Sequence, residues 1–213
     1  MAPGVVGNDV VDLGDPANAG AHRRARLVAR VCGGPEREAI ARSCDPTALF
    51  WSFFAAKEAA FKLASKLGAR PVFAHRRFEV DASLSSVSHD GRAFRLAVDR
   101  DSDRLHVVAW VGGERPLAVV AEVDPTGDAG LAVRRLVVTT LARRLGCSPS
   151  TLAIVRDPEP AAWDDLGPPR LLRGGLPMVG DLSLSHDGRF VAFAASLSRR
   201  PATSPGAGAG AGR

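Results

Sequence analysis

The stretch FWSFFAAKEAAFKLASK, residues 50–66, holds all three lysines of a 213-residue chain whose other basic residues are all arginine. Leu49, Phe50, Phe53, Phe54, Phe61 and Leu63 predict a long, well-buried helix. Asp45 or Thr47 can cap its start, and Gly68 stops it. An ammonium is a compact point charge on a flexible stem, suited to reaching a phosphate, whereas a guanidinium is a wide planar fork. Glu58 and Lys62 lie one turn apart on one helical face, either as an ordinary ion pair or as parts of a site.

A helix this apolar needs a sheet to cover it. Upstream, residues 5–13 (VVGNDVVDL) read as a short buried strand carrying Asp9 and Asp12, broken by the Gly-Asp-Pro at 14–16. Residues 20–44 carry a helical pattern interrupted at 33–35. Downstream, 78–81, 93–98 and 105–111 read as strands joined in antiparallel hairpins, with a further strand at 117–123. A second helix spans 131–145, a proline-rich irregular stretch 157–177, and two strands flank a tight turn at Asp187 and Gly188 within 182–194. The pentapeptide SHDGR at 88–92 recurs at 185–189, as a shared turn sequence or the mark of a duplication. The expected fold is α+β, with two similar halves related by a pseudo-twofold, each a long helix packed on a small antiparallel sheet. The halves are expected at 1–124 and 125–198, and the Gly-Ala tail at 199–213 is expected to be disordered.

Composition narrows the function classes. The chain is 46% hydrophobic and 24% charged, as a globular protein is, and no run approaches the length of a membrane span. The N-terminus lacks the regions of a signal peptide, and Cys32, Cys44 and Cys147 match no zinc spacing and no disulfide framework. A cytoplasmic protein with reduced thiols is expected. A net charge of +5 suits anionic partners, but no basic run is interleaved with aromatics, which argues against nucleic acid.

Three groups carry candidate chemistry: Asp9 and Asp12 on the first strand, Glu58 and Lys62 on the long helix, and His186 beside the last turn. Carboxylates from a strand and a helix can converge on a hard cation such as Mg²⁺, which retains waters and substrate phosphates. A lysine and a histidine would hold the other phosphate oxygens. The plain alternatives are a strand-end acid capping a turn, a helix ion pair and a structural histidine.

These residues resemble the 4′-phosphopantetheinyl transferases, through Gly7-Asn8-Asp9, the segment WSFFAAKEAAFK at 51–62 and LSHDGRFVA at 184–192. The resemblance spans most of residues 5–197. It implies transfer of the phosphopantetheine arm of coenzyme A to a serine of an apo acyl or peptidyl carrier protein, with Mg²⁺ as cofactor and adenosine 3′,5′-bisphosphate released. It implies Asp9, Glu58 and Asp12 as metal ligands, the last from the small family members' spacing. Glu58 and Lys62 are implied as the catalytic pair, and His186, Arg134, Arg170 and Lys57 as coenzyme A contacts. Lys66 is expected at the surface or against the carrier. The motif order is that of the small trimeric holo-acyl-carrier-protein synthases, whose chains are much shorter. The segments around Arg134, Gly167 and Arg170 and the Ser185-His186 pair resemble the leading half of the larger, monomeric type. The chain therefore reads as a two-half enzyme with its halves exchanged in order, and as a monomer. Another Mg²⁺-dependent phosphate-handling enzyme, or a degenerate homologue that binds coenzyme A or a carrier without catalysis, are the competing readings.

Overall fold

The computed structural model describes residues 4–68, 74–159 and 166–197; the predicted tail lies outside them. Its elements are β1 (Val5–Asp12), α1 (Ala25–Val31), α2 (Gly34–Arg42), α3 (Pro46–Lys66), β2 (Glu79–Val80), β3 (Ser86–His89), β4 (Arg92–Arg100), β5 (Arg104–Val111) and β6 (Leu117–Glu122). There follow α4 (Ala129–Leu145), β7 (Leu152–Val155), β8 (Arg170–Arg173), β9 (Leu176–Pro177), β10 (Gly180–Asp187) and β11 (Phe190–Leu197). The fold is α+β, with antiparallel sheets ordered β1-β5-β4-β3-β2, β10-β11-β6 and β7-β8-β9.

The predicted long helix is α3. Asp45 caps it by accepting from the Ala48 amide, and Pro46 occupies the first turn, where a missing N–H costs nothing. Alanines 55, 56, 59, 60 and 64 are all buried, and this small-residue face brings α3 close to β1. The approach is tightest at Gly7, where a Cβ would lie 1.9 Å from the Ala59 carbonyl oxygen. Gly7 is therefore a packing requirement for the strand that carries Asp9.

β1 is buried along almost its whole length because both its faces are covered. Val11 joins the core under α3 with Phe53, Leu63 and Val107. Val6 and Val10 face the other way, where Val108 and Trp110 meet Ala194, and where Phe190 and Ala192 pack. Phe193 and Ala195, on the opposite face of β11, pack with Val137 and Leu141 of α4. The layers run α3, first sheet, second sheet, α4.

β1 and β10 lie side by side without sharing backbone hydrogen bonds. The β1 amides of Val6, Asn8, Val10 and Asp12 donate instead to the side chains of Asp181, Ser183, Ser185 and Asp187, at 2.7, 3.0, 3.1 and 2.9 Å. The constant offset of 175 residues means that the strands run parallel in register. Carboxylates and hydroxyls on one face of β10 thus satisfy the exposed edge of β1, which would otherwise template association. Lys66 closes one end of this seam, donating to the Val6 and Leu182 carbonyls at 2.8 and 2.7 Å and pairing with Asp181 at 2.9 Å. It is a staple between the sheets, not the surface lysine the sequence led us to expect.

Two predictions change. The strand at 117–122, expected in the first half, pairs with β11, so the sheets part at residues 112–116, where Gly112 and Gly113 both adopt positive φ. The stretch 157–177, expected to be irregular, contributes β8 and β9 to a small sheet with β7. In each main sheet the first strand pairs with the last, β1 with β5 and β6 with β11. The two SHDGR copies fall on different hairpins of that plan, β3–β4 and β10–β11, so they are a shared turn sequence and not equivalent positions.

Candidate active site

Asp9, Glu58 and Lys62 come together where α3 crosses β1. Lys62 donates to Asp9 Oδ1 at 2.8 Å and to the Asn8 carbonyl at 2.9 Å. Ser185 of β10 donates to the same Oδ1 at 2.9 Å while accepting from the Val10 amide. Burial holds the Asp9 carboxyl above the usual range; Lys62 and the Ser185 hydroxyl oppose the shift, and the negative charge of Glu58 adds to it. Glu58 Oε1 lies 3.3 Å from His75 Nε2.

The donor set fits a hard dication. Asp9 Oδ2 and Glu58 Oε2 make no hydrogen bond among the described residues, and a cation held by both would offset the burial that chiefly raises Asp9 and the lesser repulsion that Glu58 adds. Two carboxylates leave room for waters and phosphate oxygens in an octahedral shell. No cluster of three or more acidic, histidine or cysteine ligands occurs among the described residues. Lys62 uses two of its three N–H donors on Asp9 and Asn8 and is about a third exposed, so one donor can face an anion.

The other predicted residues are placed as follows. Asp12 is not beside Asp9, because residues three apart on a strand point to opposite faces. Both its oxygens bind Arg189, whose fork holds the carboxyl below its usual range. Lys57, expected near coenzyme A phosphate, is 1% exposed in the core, bound to Glu36 at 2.7 Å and to the Val31 carbonyl. It offers no face to a ligand, because the helix turns it about 100° from Glu58. His186 is exposed at the end of β10, next to Ser185 but on the opposite face of the strand from the one that meets Asp9. Arg134 is exposed on α4 and folds back on the Gly130 carbonyl, and Arg170, on β8, pairs with Asp157. Neither touches Asp9, Glu58, Lys62 or His186 among the described residues.

Sequence reasoning passed over Ser185, Asp181, Asp187 and His75. For the first three the signal was present as D-x-S-x-S-x-D at 181–187, an alternation that ordinarily means a solvent face and here faces the edge of β1. His75 sits in no motif and reaches Glu58 only through the fold.

The α+β scaffold thus brings two carboxylates and a lysine beside Ser185 of β10. The family model of the 4′-phosphopantetheinyl transferase superfamily matches residues 5–120, more than half of the chain, and the chain belongs to that superfamily. Its general reaction type is therefore group transfer of the phosphopantetheinyl kind. The matched span includes Asp9, Glu58 and Lys62, while the Ser-His strand lies beyond it. Comparison with solved structures finds the crystal structure of Thermotoga maritima holo-[acyl-carrier-protein] synthase, with a TM-score of 0.37 and 12% identity over 81% of this chain and 84% of that one. Curated protein sequences yield no match.

Proposed function

We propose that this chain moves the 4′-phosphopantetheine arm of coenzyme A onto a serine of an apo carrier protein, in a Mg²⁺-dependent reaction that releases adenosine 3′,5′-bisphosphate. The observation that carries this reading is the convergence of Asp9, Glu58 and Lys62 in one partly buried site beside Ser185; His186, the next residue on β10, projects from the opposite face of that strand. In the reaction, the serine oxygen forms a bond to the phosphorus bearing the pantetheine arm. The bond from that phosphorus to the oxygen bridging towards adenosine breaks, and the serine loses its proton.

A dication held by Asp9 and Glu58 would supply charge neutralisation at the diphosphate. Lys62 aims its spare donor at the phosphate under attack, fixed by its two other bonds so that little reorganisation is needed. Glu58, whose Oε1 lies 3.3 Å from His75 Nε2, is the carboxylate read as assisting the serine proton. His186 and the exposed Arg134 are read as coenzyme A phosphate contacts; Arg170 would first have to leave Asp157. Lys57 has no part in this reading. The chain is read as a monomer, because β1, α3 and β10 of a single chain build the site, and as a cytoplasmic protein. No helix among the described residues is long and apolar enough to cross a membrane.

Incubation with Mg²⁺, coenzyme A and a set of apo carrier proteins, read by intact mass, tests this function. A carrier gaining the arm supports it. Coenzyme A binding with no transfer to any carrier would favour the degenerate-homologue reading.

A further inference from the structure

We infer that Asp12 is a positioning residue for His186, locking the β10–β11 turn onto β1, and not a metal ligand; the inference rests on the coenzyme A reading above. All the acceptor sites of Asp12 are in use. Oδ1 accepts from the Gly14 amide at 3.0 Å and from Arg189 Nη2 at 2.9 Å; Oδ2 accepts from the Arg189 amide at 3.1 Å and from its Nε at 3.0 Å. A carboxylate offers about four lone-pair sites, so none remains for a cation. Asp9 differs, for its Oδ2 makes no hydrogen bond among the described residues.

The clamp holds the residues around His186. Ser185 is fixed by the Val10 amide, Asp187 by the Asp12 amide at 2.9 Å and by Asn18 at 3.2 Å, and Arg189 by the Asp12 carboxylate. The fit leaves no space. A Cβ at Gly188 would lie 2.5 Å from Asp12 Oδ2, and one at Gly14 would lie 2.6 Å from Arg189 Nη2. His186 itself is exposed and makes no side-chain hydrogen bond or ion pair among the described residues. The place from which its side chain leaves the strand is therefore set by the backbone on either side, and that backbone is held by Asp12 and Arg189. An Asp–Arg fork is the pairing that fixes orientation as well as distance.

The test uses the full chain with Asp12→Asn, Arg189→Gln, His186→Ala and the Arg189→Gln/His186→Ala double variant. Three quantities are read: coenzyme A affinity by calorimetry, Mn²⁺ affinity by electron paramagnetic resonance, and the His186 imidazole resonances of the free protein. We expect Arg189→Gln and His186→Ala each to weaken coenzyme A by at least about tenfold, the loss typical of a hydrogen bond to a charged group. The double variant should be no weaker than His186→Ala, because both act through one contact. Mn²⁺ affinity should be unchanged in Asp12→Asn, and the His186 signal, single and narrow in the parent, should broaden or split in Arg189→Gln. A folded Asp12→Asn that loses Mn²⁺ would overturn the inference, as would an Arg189→Gln protein with unchanged coenzyme A affinity and an unchanged His186 signal. If Asp12→Asn does not fold, Arg189→Gln, altered at the exposed end of the clamp, decides alone. If the parent binds no coenzyme A, the functional reading fails, and the His186 signal still decides whether the clamp positions the ring.

Discussion

The three lysines illustrate what a residue choice encodes. Each ammonium binds a carboxylate and at least one backbone carbonyl: Lys57 with Glu36 and Val31, Lys62 with Asp9 and Asn8, Lys66 with Asp181, Val6 and Leu182. A small head with three rotatable donors fits such pockets, and a planar fork does not. The sequence pointed to the right window, but for Lys57 and Lys66 the reason is structural. Lys62→Arg should therefore fail to restore function and lower the transfer rate by roughly 10²–10³, the cost of losing a preorganised charge contact; steady-state kinetics showing parent-like turnover would remove the role assigned to Lys62. His106 offers a pH test. Burial pushes its ring down to about 4, with Arg104 and Lys62 adding to the shift and Asp99 opposing it. Nε2 lies 3.1 Å from Asn8 Nδ2 inside the sheet sandwich. The unfolded chain takes up this proton near 6.5 and the folded chain only near 4. Stability is thus unaffected above that window and falls as pH drops through it, by about 3 kcal/mol. Denaturant midpoints measured from pH 7 to pH 4 should show the slope, and His106→Gln should flatten it.

At the scale of elements, α3 was legible almost to its ends because periodicity, cap and stop agree. β1 was legible because β-branched residues dominate it. The β10 face was not, since Asp and Ser alternating with Leu look the same whether they meet water or the edge of another strand. The small sheet β7-β8-β9 was hidden by the prolines and glycines between its strands. Two substitutions test how the elements are held. Lys57→Met should destabilise the fold by about 3–5 kcal/mol, because it strands the buried Glu36 carboxylate. Glu36 also accepts from the Gly33 and Val80 amides, so Glu36→Leu should not simply compensate. A urea midpoint unchanged in Lys57→Met would contradict this account of the α2–α3 packing. Gly7→Ala should cost at least about 2 kcal/mol, since its methyl would collide with the α3 backbone and not with a movable side chain.

For the whole molecule, the strand order and the position of β6 show why the boundary near residue 124 misled. Pro125 and Gly127 mark a loop, but the sheets part earlier, at Gly112 and Gly113, and only hydrogen bonding reveals which sheet β6 joins. The candidate site draws on both sheets, with Asp9 on β1 and Ser185 on β10, and Lys66–Asp181 ties them. Asp181→Ala should loosen that seam, lowering thermal stability and raising amide exchange at Val6 and Asn8 before the remaining core opens; uniform exchange across both sheets would argue against a distinct seam. Sedimentation should give the mass of a single chain. The most direct measurement of the central claim is intact-mass analysis of apo carrier proteins after incubation with the chain, Mg²⁺ and coenzyme A, run beside Asp9→Ala and Glu58→Gln. The account predicts that a carrier gains the phosphopantetheine arm with the parent chain and that both folded variants lose most of this transfer. Transfer at parent rates by both variants would contradict the assignment of Asp9 and Glu58, and no transfer by the parent to any carrier would contradict the function itself.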